Sequence, residues 1–134
     1  MPDKVETHTP NNVMTPIGPY SHIAEYAGFL MISGTAGVDP KTNELAGSDV
    51  GTQTTQILDS LELILRSVGS DFKDVLHINV FLTDMNDFGE MNRAYEARIG
   101  ACRPARTAIG VAGLPKPGAL VTMNLTAVAT RDVD

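Results

Sequence analysis

Ile57-Leu58-Asp59-Ser60-Leu61-Glu62-Leu63-Ile64-Leu65-Arg66-Ser67-Val68-Gly69 and, shortly after it, Val75-Leu76-His77-Ile78-Asn79-Val80-Phe81-Leu82 carry the two periodicities from which the fold is read. In the first segment Ile57, Leu58, Leu61, Ile64, Leu65 and Val68 recur at i, i+1, i+4, i+7, i+8 and i+11, one apolar stripe, so the spacing predicts a helix over 49–68. Gly69 supplies its stop. In the second segment the period drops to two, with Leu76, Ile78, Val80 and Leu82 on one side and His77, Asn79 and Phe81 on the other. A strand whose apolar side packs on the preceding helix satisfies both patterns.

Working outward, 22–26 and 29–33 are short segments divided by Ala27-Gly28 and read as a hairpin. Upstream, Pro16-Ile17-Gly18-Pro19-Tyr20-Ser21 is a stiff loop, and residues 1–12 are a polar arm or a short edge strand. Gly37-Val38-Asp39-Pro40-Lys41-Thr42-Asn43 is turn material. Downstream, 84–99 reads as a second helix, with Asp87 as its cap and Phe88, Met91, Ala94 and Tyr95 inward. Strands follow at 107–111 and 120–130, joined through Gly113-Leu114-Pro115-Lys116-Pro117-Gly118. The order β-β-β-α-β-α-β-β is that of an α+β domain with two helices on one face of a mixed sheet. The other sheet face would carry His77, Asn79, Phe81, Thr122, Asn124 and Thr126, and a partly apolar open face of this kind marks a surface where subunits pack.

The composition narrows the function. A chain of 134 residues is read as one domain spanning 1–134. The longest apolar run is Phe29-Leu30-Met31-Ile32, too short for a membrane span or secretory core, so a cytoplasmic protein is expected. Ten Lys and Arg against 16 Asp and Glu give a net charge of −6, which disfavours binding nucleic acid through its phosphates. The single cysteine, Cys102, excludes an intrachain disulfide and is read as an incidental thiol. His8, His22 and His77 lack metal-motif spacing. Four of the six arginines fall between Arg93 and Arg106, and Pro104 stiffens the approach to the last of them. Arginine there presents a planar fork of donors matched to a carboxylate. The competing reading, surface charges pairing with Glu90 and Glu96, fits Arg93 and Arg98 on the outside of a helix.

Pro16-Ile17-Gly18-Pro19-Tyr20-Ser21, Ile32-Ser33-Gly34, Asn86-Asp87-Phe88, Asn92-x-x-Tyr95 and Pro104-Ala105-Arg106, with Leu114-Pro115 before the last strand, occur in the order and spacing of the RidA (YjgF/YER057c/UK114) family. The chain resembles that family over nearly its whole length. The resemblance implies a chorismate-mutase-like fold and a homotrimer with clefts between subunits. It also implies hydrolysis of enamines and imines such as 2-aminoacrylate to 2-keto acids and ammonia, with no metal or organic cofactor. Carried over by position, Arg106 corresponds to the arginine that clamps the substrate carboxylate. Tyr20, Ser33 and Asn92 correspond to cleft residues, while Ser33 and Asn92 equally suit structural caps. The backbone of Thr107 and Ala108 would face the substrate.

One position departs from the family pattern. Members usually carry a glutamate in the last strand, and this chain reads Thr122-Met123-Asn124-Leu125-Thr126-Ala127-Val128-Ala129, with Asn124 in the glutamate's place. Asparagine can hold a water but cannot take its proton. Arg106 and Asn124 are therefore the expected catalytic pair, clamp and water holder. Three other readings stay open: a 2-aminomuconate-type catabolic deaminase, a non-catalytic trimer that binds carboxylate ligands, and a ribonuclease or translation inhibitor.

Overall fold

The computed structural model describes residues 4–129. Met1, Pro2 and Asp3 of the expected arm and Thr130 of the expected last strand lie outside the described residues. The elements run β1 (Glu6–His8), β2 (Ile23–Tyr26), β3 (Phe29–Ala36), β4 (Val38–Asp39), β5 (Glu44–Leu45), α1 (Val50–Arg66), β6 (Val75–Leu82), α2 (Phe88–Ile99), β7 (Ala105–Gly110) and β8 (Val121–Val128). Six strands form one sheet in the order β1-β2-β3-β8-β6-β7, and β4 pairs with β5 apart from it. β6 and β7 are parallel, connected through α2, and the other sheet pairings are antiparallel. The expected α+β architecture, two helices on a mixed sheet, is the one observed.

Each boundary has a local cause. Ala27 and Gly28, at φ of 51° and 84°, make the two-residue turn whose twist suits a tight hairpin. α1 starts where the Asp49 carboxylate accepts the Thr52 N–H at 2.8 Å. It ends at Arg66, and Gly69 beyond it, φ 76°, turns the chain so that the Ser70 N–H returns to the Leu65 carbonyl at 3.0 Å. The predicted stripe is the buried face of α1: Ile57, Leu58, Leu61, Ile64 and Leu65 are fully enclosed against Ile78, Val80, Met123 and Leu125 of the sheet. Arg98 of α2 bridges the helices, its Nε 2.7 Å from Asp59 and its Nη2 2.6 Å from Glu62 of α1. Its partners are thus on the neighbouring helix, not the expected Glu90 and Glu96 of its own helix.

Four other expectations are corrected. Leu76 is 48% exposed, because a register shift between Val75 and His77 turns Val75 inward in its place. The expected helix over 84–99 begins as a 3-10 turn, Met85–Asp87, capped by the Asp84 carboxylate on the Asn86 N–H; Asp87 makes no side-chain cap bond. The strand expected at 107–111 starts at Ala105, so Arg106 lies inside it. The segment read as turn material folds its own hairpin of β4 and β5. There Asp39 accepts the Lys41 N–H at 2.8 Å, and Asn43 adopts a left-handed φ of 61°.

Candidate active site

The expected site residues fall into two groups. The first lies where β3 and β8 meet. Their pairing is regular up to Ile32 with Leu125 and resumes at Thr35 with Met123, so Ser33 and Gly34 bulge out opposite Asn124. The Ser33 hydroxyl donates to the Ser21 carbonyl at 2.6 Å and its N–H to the His22 carbonyl at 2.9 Å. Those two bonds fix the stiff loop holding Tyr20 against the start of the bulge. Tyr20 is 39% exposed, and its hydroxyl accepts the Ile17 N–H at 3.4 Å. Tyr20, Ser33, Gly34 and Thr122 line a cavity of about 500 Å³, with apolar walls from Met14, Ala36 and Val38 and with Lys116 at its margin.

Asn124 follows Thr122 along the same side of β8. Register sets it directly across from Asn79 of β6, whose amide N–H donates to its Oδ1 at 2.9 Å. The Asn124 carbonyl is thereby used, and its own N–H donors remain to hold a ligand or water. Beside this pair, His77 and Thr107 meet at 3.0 Å on the same open face of the sheet.

The second group lies at the other end of the sheet. Arg106 pairs in register with Ile78, which is buried beneath the helices, so the arginine projects to the helix side and Thr107 to the opposite side. Its guanidinium sits 4.7 Å from the ring centre of Tyr95 and 5.7 Å from that of Phe88, both on α2. Among the described residues the Arg106 guanidinium makes no ion pair and no hydrogen bond, and the two carboxylates of α2 are engaged elsewhere. Glu90 accepts the Gly51 N–H at 3.1 Å, and Glu96 lies 3.6 Å from Arg103. Burial pushes the Tyr95 phenol above its usual range, against the opposing pull of the Arg106 and Arg103 charges, so at neutral pH the ring beside Arg106 is uncharged. Asn92 is exposed one turn before Tyr95 on α2. Ala108 packs toward the core. As β7 is the terminal strand, half of its backbone groups point away from the sheet.

Within one chain the two groups stay apart. β3 and β7 are separated by β8 and β6, three interstrand steps or about 14 Å, and Arg106 and Asn124 leave opposite faces of the sheet. Three participants, Asn79, Tyr95 and Phe88, are not among the site residues expected from the sequence. Asn79 appeared there only as part of an alternating polar face, because its pairing with Asn124 depends on register. Tyr95 and Phe88 were read as inward-facing, and their i, i+7 spacing was the available sign that they share one face. Cys102 is a half-buried free thiol packed on the core. At the far edge of the sheet Glu6, His8 and Glu25 converge, their ligand atoms all within 4.8 Å of one another. No helix among the described residues is long and apolar enough to cross a membrane.

Comparison with known proteins extends this picture over nearly the whole chain. Residues 10–129 match the family described as Endoribonuclease L-PSP. A RutC family protein of Pyrococcus horikoshii is 40% identical over 121 residues, 90% of this chain and 94% of that protein. The 2-iminobutanoate/2-iminopropanoate deaminase of Mus musculus is 39% identical over 112 residues, covering 84% of this chain and 82% of that enzyme. The crystal structure of the YjgF gene product from E. coli superposes with a TM-score of 0.85 at 33% identity, covering 92% of this chain and 98% of that one. The shared motifs, the sheet order and the match over 10–129 agree, and the chain belongs to the endoribonuclease L-PSP family, the RidA/YjgF proteins.

Proposed function

We propose that the protein hydrolyses small imines and enamines bearing a carboxylate, of the 2-aminoacrylate and 2-iminobutyrate type, to 2-keto acids and ammonia. It does so in the cytoplasm, as a homotrimer whose clefts lie between subunits, with no metal or organic cofactor. The observation carrying this reading is Arg106: a cation on an edge strand, beside two ring faces, whose guanidinium donors have no partner among the described residues. Such a group is arranged to receive a planar anion in bidentate fashion. The name of the mouse relative supports imine deaminase activity in the family. The separation of Arg106 from Tyr20, Ser33 and Asn124 supports a site completed by a second copy: the Arg106 end of one subunit meets the bulge and cavity of the next. The open face, where Tyr26, Phe29, Met31 and Ile109 are each about half exposed, is the surface that association would cover.

The chemistry asks little of the protein. The carbon of a protonated imine is already electrophilic. Water adds to it, the resulting carbinolamine passes its hydroxyl proton to the nitrogen through solvent, and the C–N bond breaks to leave the keto acid and ammonia. Arg106 holds the carboxylate through addition and collapse. Asn124, its carbonyl bound to Asn79, donates N–H to the attacking water and orients it. A general base would add about 10²–10⁴-fold, so this site works without the full acceleration that a carboxylate at position 124 would supply.

The Asn79–Asn124 pair equally favours a second reading, a trimer that binds carboxylate ligands without turning them over. Ammonia release from freshly generated 2-aminoacrylate and 2-iminobutyrate separates the two. Turnover by the wild type that disappears in Arg106→Ala supports the deaminase. A silent wild type beside an active Asn124→Glu supports the binding protein. RNA retention that falls steeply with salt would favour a ribonuclease instead, against the net charge of −6.

A further inference from the structure

We infer that Tyr95 and Phe88 are positioning residues for Arg106: their ring faces occupy the back of its guanidinium and leave the N–H edge open for a ligand carboxylate. The inference rests on the carboxylate-clamp reading of Arg106 and adds the means by which the clamp is held. A buried or half-buried arginine is ordinarily fixed by a carboxylate, and Arg98 of α2, although it also lies 5.3 Å from the Phe72 ring centre, has donors taken in that way by Asp59 and Glu62. A carboxylate partner uses the edge of the guanidinium and cancels its charge. An aromatic face attracts the cation through the ring quadrupole and engages the plane of the group, so the in-plane donors and the charge both remain available. Arg106 has only the second kind of support among the described residues, from Tyr95 at 4.7 Å and Phe88 at 5.7 Å.

The platform is also rigid. Tyr95 is 7% exposed and belongs to the main core, and Phe88 packs against the same core one face-repeat earlier on α2. The Tyr95 hydroxyl is enclosed and has no hydrogen-bond partner among the described residues. Removing it therefore breaks no bond, which makes Tyr95→Phe a variant that changes the hydroxyl and keeps the ring face.

The test measures binding of 2-oxobutanoate, a stable keto acid, to the assembled protein by calorimetry, beside imine turnover and thermal unfolding. Tyr95→Leu and Phe88→Leu are each expected to weaken binding about tenfold and to raise KM by a similar factor while kcat changes little, because the clamp acts on ground and transition state alike. Tyr95→Phe is expected to recover binding to within about threefold of the wild type. Phe88→Leu, at a half-buried position, keeps the test decisive if Tyr95→Leu does not fold. Folded Leu variants that bind 2-oxobutanoate like the wild type would overturn the inference, as would a wild type whose binding does not depend on Arg106. Arg106-dependent binding without ammonia release from any imine would remove the deaminase reading and leave the positioning role to be judged on the affinities.

Discussion

Arg106 and Asn124 differ in what fixes them, and that difference sets what their substitutions do. Arg106 lies with its guanidinium over the Tyr95 ring, and the proposed two-point grip on a carboxylate depends on the same planar group. Arg106→Lys keeps the charge and loses the plane, so kcat/KM is expected to fall about 10- to 100-fold in steady-state assays of imine hydrolysis. Asn124 is fixed by the Asn79 amide, a donor that would serve a carboxylate equally well. Asn124→Glu is therefore expected to fold and to raise kcat, at most by the factor of about 10²–10⁴ that a general base supplies. The pH profile gives the check. Residue 124 does not titrate in the wild type and contributes no acid limb. Asn124→Glu is expected to gain one, with activity falling as the new carboxylate protonates.

Among the elements, α1 carries most of the organisation, through one buried polar residue as well as its apolar stripe. Gln53 is fully enclosed; it donates to the carbonyls of Gly47 and Gly118 at 3.0 and 3.2 Å and accepts the Leu120 N–H at 2.8 Å. It ties the start of α1 to the loop that delivers β8, and so to Thr122 and Asn124. Gly37 lies so close that a Cβ there would meet the Gln53 backbone oxygen at 2.6 Å. Gln53→Leu removes the partner of three part-buried backbone groups and is expected to cost about 1–3 kcal/mol in denaturant unfolding. The cap of the same helix is pH-dependent. The backbone N–H of Thr52 holds the Asp49 carboxyl below its ordinary value of 3.8. A folded-state pKa below the unfolded one contributes stability above the unfolded value, and that contribution is lost as pH falls through the folded value. The melting temperatures of the wild type and Asp49→Ala are expected to differ at neutral pH and to converge under acid.

At the scale of the whole molecule, the sheet has one face closed by helices and one face open. Phe29 and Met31 are 51% and 56% exposed on that open face, beside the half-buried polar row of β8. Light scattering is expected to give about three times the chain mass of 14.3 kDa. Met31→Asp places a charge on the face that the proposed association would cover and is expected to yield monomers. Those monomers should lose imine turnover while α1 and its core remain, since Met31 points away from the helices. A stable monomer with full activity would overturn the shared-cleft arrangement.

The stripe of Ile57–Val68 and the alternation of β6 were legible because both are local: burial of one helix face and one strand face imposes periods that a linear reading can count. The motifs around Tyr20, Ser33, Asn92 and Arg106 identified the family for a similar reason, since each is a short run in fixed order. The turn at Ala27-Gly28 was legible from its residue types. Everything that depends on which strand lies beside which was not. The exposure of Leu76 follows from a register shift against β8, and the bulge at Ser33 from a mismatch between β3 and β8. The Asn79–Asn124 bond needs a pairing across 45 residues. Arg106 is picked out by the sequence as a candidate clamp; only the parallel crossover through α2, which lays β7 against Tyr95 and Phe88, decided that two aromatic rings lie beside its guanidinium. Periodicity is dictated by each segment's own burial, whereas register and partner are decided by the closing of the whole sheet.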